Sequence, residues 1–141
     1  MKIVYTTEAT ATGGGRKGHS ATKNGRVSVD LSVPKEMGGD GGPGTNPEEL
    51  FATGYAACFL GALQGAARKA EVKLPEGITI TASVSFADRE DNVGFTIVAA
   101  LAVHVPGFEK AQVEALMHKA HQICPYSNLI TAAHEVMLTA V

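Results

Sequence analysis

Thr45-Asn46-Pro47-Glu48-Glu49-Leu50-Phe51-Ala52-Thr53-Gly54-Tyr55-Ala56-Ala57-Cys58-Phe59 is the stretch on which the fold turns. Asn46 can cap a helix, Pro47 suits the first helical position, and the two acids face the positive end of the dipole. Residues 50–67 then carry no charge. A charge-free run of 18 residues invites a membrane-spanning reading. That reading is rejected. Thr53, Gly54, Gly61, Gly65 and Gln64 interrupt the run, and most of the rest is alanine, too weakly hydrophobic for lipid. A helix apolar on all sides is instead one buried in protein, expected here to about residue 70. Gly61-x-x-x-Gly65 would let it approach another helix closely, within the chain or across a dimer.

Upstream, residues 2–12 are rich in β-branched residues and read as a strand that Gly13-Gly14-Gly15 breaks. Asn24-Gly25 signals a hairpin between residues 19–22 and 26–33. Residues 38–44 are too glycine-rich for regular structure and short enough for an ordered loop. They lack the phosphate-cradle and dinucleotide fingerprints. Downstream, residues 78–88 and 93–105 alternate as strands joined by a turn at Asp91-Asn92. Residues 109–122 have helical spacing, and Pro125 should end or kink that helix at Cys124. Residues 134–140 read as a last strand. The order β-β-β-α-β-β-α-β, without repeat or linker, predicts a single domain over residues 1–141. Its class is α+β, with largely antiparallel sheets and a long central helix.

A chain of 141 residues, 45% hydrophobic and 18% charged, has enough material for one real core. A net charge of -2 and a pI near 6.2 give no electrostatic case for nucleic acid or an anionic membrane. Such sparse charge suggests a surface covered by a partner, hence an oligomer. The first eight residues hold no apolar signal core, so the expected location is cytoplasmic, where a permanent disulfide is disfavoured.

The two cysteines then carry the question of function. Cys58 and Cys124 can be inert buried thiols, a structural disulfide, metal ligands, or a peroxidatic and resolving pair. Taken alone, each reads first as a small buried hydrophobe. A reactive Cys58 needs a thiolate, and an apolar helix opposes one unless a cation is near. Arg16, tethered by three glycines, is the best candidate cation. His118, His121 and Cys124 suggest a metal. However, six residues of helix separate the outer two by about 9 Å and roughly 600° of rotation. One ion would not easily bridge them, so a surface His118 and a hydrogen-bonded His121 are expected rather than a metal site.

Three strings converge on a known family. Residues 5–16 (Tyr-Thr-Thr-Glu-Ala-Thr-Ala-Thr-Gly-Gly-Gly-Arg), residues 44–59 around Asn46-Pro47-Glu48 and Cys58, and Ala120-His121-Gln122-Ile123-Cys124-Pro125-Tyr126-Ser127-Asn128 resemble the organic hydroperoxide resistance (Ohr) proteins of the OsmC-like superfamily. They keep the family's order across nearly the whole chain. The resemblance implies an intimate homodimer, with sheets wrapped around central helices. It also implies a thiol peroxidase for organic, including fatty-acid, hydroperoxides, recycled by dihydrolipoyl groups of a lipoylated protein. Cys58 matches the peroxidatic cysteine and Cys124 the resolving one. Arg16 matches the arginine that stabilises the thiolate, and Glu48 the acid that holds it. Where the family usually continues Ala-Thr-Arg-Gly-Asn after Asn128, this chain has Leu129-Ile130-Thr131-Ala132-Ala133. The missing arginine bears on substrate access or on the reducing partner. Glu48 and Cys58 lie ten residues, about 15 Å, apart on one helix. Arginine's length can bridge part of that gap within one chain; alternatively, and as the favoured expectation, Arg16 and Glu48 of one subunit complete the site around Cys58 of the other. A general dithiol-disulfide oxidoreductase and a non-enzymatic small-ligand binder are the rival readings.

Overall fold

The computed structural model describes residues 2–131 and Leu138, in two compact units, Met1–Leu50 and Phe51–Val141. The first unit holds an antiparallel sheet of β1 (Ala9–Thr12), β2 (His19–Thr22) and β3 (Ser28–Asp30), in that order. Regular pairing starts only at Ala9, not at residue 2. The register Ala9↔Thr22 to Thr12↔His19 exhausts β2, so the β-branched residues before Ala9 have no described strand to pair with. Ile3, Val4 and Tyr5 are accordingly exposed. Strand propensity without a ladder does not make a strand.

The hairpin falls where Asn24-Gly25 places it, but its loop is five residues long. Gly25 supplies the positive φ, 70°. Asn24 acts through its side chain, accepting from Arg26 N at 3.1 Å and Thr22 Oγ1 at 2.8 Å, which sets an Asx turn. Residues 38–44 are ordered by local bonds, among them Gly41 N to Val33 O and Gly44 N to Ser32 Oγ. They return the chain to Leu31, which bridges Thr45 just before α1 (Pro47–Lys69). Asn46 Oδ1 caps that helix, accepting from Glu49 N at 2.8 Å. Glu48 and Glu49 occupy its first turn, Arg68 and Lys69 its last, so both ends complement the dipole.

In the second unit, β4 (Thr79–Asp88) and β5 (Phe95–His104) form a ten-residue antiparallel ladder, Thr79↔His104 to Asp88↔Phe95. Two further helices follow, α2 (Lys110–Ile123) and α3 (Pro125–Thr131). The core gathers Tyr55, Phe59 and Leu63 of α1 with Val113, Leu116 and Ala120 of α2, and Ile80 and Leu101 of the sheet pack against it. Phe59 and Leu63 are fully buried; each such side chain contributes about 1.5–3 kcal/mol relative to exposure. Among the described residues α1 is the one helix long and apolar enough to cross a membrane, yet this face is committed to protein packing. Of the Gly61–Gly65 pair, Gly65 faces Ile123 of α2, where a Cβ would lie 3.6 Å from Ile123 Cδ1, while a Cβ at Gly61 would meet open space within the chain. At Gly54 it would sit 2.9 Å from Tyr126 Oη. The short α3 is absent from the sequence reading, and the strand expected over residues 134–140 lies outside the described residues.

Candidate active site

The four nominated residues form two pairs, one in each compact unit. In the second, Cys58 Sγ and Cys124 Sγ stand 3.5 Å apart across a sequence separation of 66. Both are free thiols, Cys58 partly exposed and Cys124 fully buried. A disulfide needs about 2.05 Å between sulfurs, so closure requires a movement of about 1.5 Å.

Pro125 is what puts Cys124 there. The residue before proline is pushed out of the helical region, and Cys124 has φ -72° and ψ 122°. It ends α2, its N–H bonding Ala120 O, and begins α3, its carbonyl accepting from Asn128 N. Pro125 then takes the first position of α3, where its missing N–H costs nothing. The next two residues anchor the junction. Tyr126 lies against Phe51 and Tyr55, with ring centroids 5.5 and 5.9 Å away, and the absent Gly54 side chain makes room for its hydroxyl end. Ser127 and Tyr55 share a buried hydroxyl–hydroxyl bond of 2.9 Å.

Burial pushes the Cys58 thiol above its ordinary pKa. The Tyr126 backbone N–H, donating to the sulfur, pulls the other way, while Cys124 adds to the rise. The opposition expected of an apolar helix is therefore real.

In the first unit Arg16 meets Glu48 in a two-pronged ion pair, Nη1–Oε2 2.8 Å and Nη2–Oε1 2.7 Å. The glycines explain how the arginine is presented. Gly13, Gly14 and Gly15 all take φ between 59° and 73°, a region other residues rarely adopt. A Cβ on Gly18 would lie 1.6 Å from Gly13 O, so the loop closes onto itself only with glycine there. Arg16 holds the Glu48 carboxyl below the usual carboxylate range through this hydrogen bond, and its own pKa rises in turn.

Tyr55, Gly54, Tyr126 and Ser127 support the thiol pair and were not singled out by sequence reasoning. Pro125 was the available signal, since a proline can open a helix as well as close one. His118 and His121 are exposed, and among the described residues no three His, Cys, Asp or Glu side chains gather as a metal site. The two histidines line a hollow of about 300 Å³ with Tyr55, Phe59, Leu101 and Met117.

The chain as a whole has known relatives. The family model described as OsmC-like protein matches residues 38–139. The chain belongs to the OsmC-like family. Among curated OsmC-like relatives, the organic hydroperoxide resistance protein of Xanthomonas axonopodis pv. citri (strain 306) is 47% identical over 138 residues, covering 98% of this chain and 95% of the relative. A crystal structure of an organic hydroperoxide resistance protein from Legionella pneumophila superposes with a TM-score of 0.84 at 45% identity, covering 92% of each chain. One from Vibrio cholerae O1 biovar eltor str. N16961, with captopril bound in one of its active sites, gives 0.82 at 44% identity, covering 93% of this chain and 88% of that one.

Proposed function

We propose that this protein detoxifies organic hydroperoxides as a thiol peroxidase, reducing them, fatty-acid hydroperoxides included, to alcohols. The observation that carries the reading is the pair of free thiols 3.5 Å apart. The names of relatives at 47% identity support the substrate class. In the first step the Cys58 thiolate attacks the distal peroxide oxygen. The O–O bond breaks, the alkoxide takes a proton and leaves as alcohol, and Cys58 becomes a sulfenic acid. Cys124 then attacks that sulfur, releasing water and forming the Cys58–Cys124 disulfide. An external dithiol, in this reading a dihydrolipoyl group on a lipoylated protein, restores both thiols. The captopril in the Vibrio relative is itself a small thiol.

Because burial raises the Cys58 pKa, activation has to come from a cation, and the reading gives that role to Arg16. Arginine can bond a carboxylate, a thiolate and a peroxide oxygen together, which lysine's point charge does less well. Glu48 aims it. Glu48 and Cys58 are separated by about 15 Å of helical rise, which favours a homodimer in which Arg16 and Glu48 of one subunit serve Cys58 of the other. Exposed Ile3, Val4, Tyr5, Phe95 and Val98 supply apolar surface for such an assembly. The reading is of one domain working in the cytoplasm, away from membranes and nucleic acid, without metal or cofactor.

Mass spectrometry after one equivalent of cumene hydroperoxide tests it. The expected result is a loss of two hydrogens mapped to Cys58–Cys124. Intact thiols would sink the reading in favour of a ligand binder. Disulfide exchange with proteins but no fast reaction with hydroperoxide would favour a general oxidoreductase. A mixed dimer of Cys58→Ser and Arg16→Ala subunits should recover activity; none would count against the shared site.

A further inference from the structure

We propose that the Cys58–Cys124 disulfide is reopened by thiol attack on Cys58 Sγ alone, so that the reductant becomes covalently attached to Cys58 and Cys124 is always the leaving group. The inference rests on the thiol-peroxidase reading and adds the direction of its recycling half. Thiol–disulfide exchange runs in line: the incoming sulfur approaches opposite the one that leaves, and access decides which sulfur is struck. Cys124 has no exposed surface and belongs to the core cluster, between the last turn of α2 and the first of α3. Attack on it would have to come from the side away from Cys58, through that packing. Cys58 is partly exposed, so of the two sulfurs it is the one an incoming thiol can reach.

Assembly sharpens the asymmetry. A second subunit can only bury Cys124 further, whereas Cys58 must stay reachable for the peroxide to react at all. The balance of the two exchanges fits the same order. A reductant thiolate forms a bond to Cys58 Sγ as the Cys58–Cys124 bond breaks, and Cys124 departs with the electron pair and takes up a proton. The reductant's second thiolate then attacks its own bound sulfur, closing the reductant's disulfide and expelling Cys58 as a thiolate. The Tyr126 backbone as donor favours the thiolate form of Cys58, the sulfur that must leave in this last step. Attachment at Cys124 would leave that donor on the wrong atom.

The test closes the disulfide with diamide, so it needs no peroxide turnover. The oxidised protein is exposed to excess cysteamine, quenched in acid, denatured, blocked with N-ethylmaleimide and mapped by peptide mass spectrometry. Cysteamine should sit on Cys58 and maleimide on Cys124, with a preference of about tenfold or more, as expected between an accessible and an occluded sulfur. In parallel, native Cys124→Ser protein should react promptly with dithiodipyridine through Cys58. Native Cys58→Ser protein should react only as fast as it opens, and so be accelerated by urea. Cysteamine on Cys124, equal partition, or failure of diamide to join the pair would overturn the proposal. A protein with this regiochemistry that ignored cumene hydroperoxide would sink the peroxidase reading alone.

Discussion

Removing both hydroxyls of the Tyr55–Ser127 pair should cost well short of the sum of removing each alone. The bond is 2.9 Å long, Ser127 is 0% exposed and Tyr55 4%. Neither hydroxyl can turn to water when its partner goes. Tyr55→Phe keeps the ring and its contacts with Phe51, Phe59 and Tyr126, so the loss is the hydroxyl alone. A stranded buried hydroxyl costs about 1–3 kcal/mol, and Ser127→Ala should fall in the same range. In the double variant no polar atom is stranded, so its cost should fall well short of the sum of the two single costs. Urea unfolding at one fixed protein concentration measures all four corners of the cycle. The corresponding melting shifts are roughly 3 °C per kcal/mol for a chain of this size. Strict additivity would refute the reasoning, as would single costs inside the scatter of ordinary surface substitutions, about 0.5 kcal/mol. Either result would mean the two hydroxyls find other partners, and that α3 is held by ring packing alone.

Cys124→Ser should leave a sulfenic acid at Cys58 that dimedone captures after one turnover, and should stop recycling by dithiols; sustained turnover would remove Cys124 from the cycle. Arg16→Ala should move the Cys58 titration upward, followed by thiolate ultraviolet absorbance in a Cys124→Ser background. It should also slow hydroperoxide reduction at neutral pH, and an unmoved titration would dismiss Arg16 as the activator. Glu48 has a folded pKa below its unfolded one, so the stability it contributes is present above about pH 4.3 and is lost as pH falls through the folded value. Glu48→Gln should flatten that acid limb in urea midpoints taken between neutral and acid pH, and an unchanged limb would mean the pair adds nothing to folding. In Gly18→Ala, the new methyl would lie 1.6 Å from a backbone oxygen that cannot swing away. Peroxide reduction should fall while diamide still joins Cys58 to Cys124, and full activity would show that the loop tolerates another path.

The sequence signals that survived were those whose physics is local. Asn46, Pro47 and the two acids define the start of α1 without reference to anything distant, and the helix begins there. Pro125 constrains Cys124 directly, and the backbone turns at Cys124 as expected. The signals that failed needed a partner the sequence does not announce. Residues 2–8 look like strand, but β2 is only four residues long, and β1 uses all of it. In Gly61-x-x-x-Gly65 only Gly65 faces another helix, at Ile123 of α2, and the most crowded glycine of α1 is Gly54, crowded by a tyrosine far along the chain. The site divides the same way. Resemblance indicated both cysteines, Arg16 and Glu48, and the structure pairs Cys58 with Cys124 and Arg16 with Glu48. Tyr55 and Ser127, joined across 72 residues, have no local pattern that could have marked them.

The spacing of the two sulfurs also sets a race. A sulfenic acid has two fates: capture by a neighbouring thiol, or a second encounter with peroxide that carries the sulfur to a form not readily restored. Groups already held at about 3–3.5 Å in good orientation behave as if present at very high concentration, with values reaching about 10⁵–10⁸ M. Even about 10 M would exceed a peroxide dose of about 1 mM by roughly ten-thousandfold at equal intrinsic reactivity. A thiol waiting 3.5 Å away therefore does more than complete a cycle. In the proposed peroxidase cycle it acts as a fuse that resets before the damage becomes permanent, and would let the protein keep working when its substrate is most abundant.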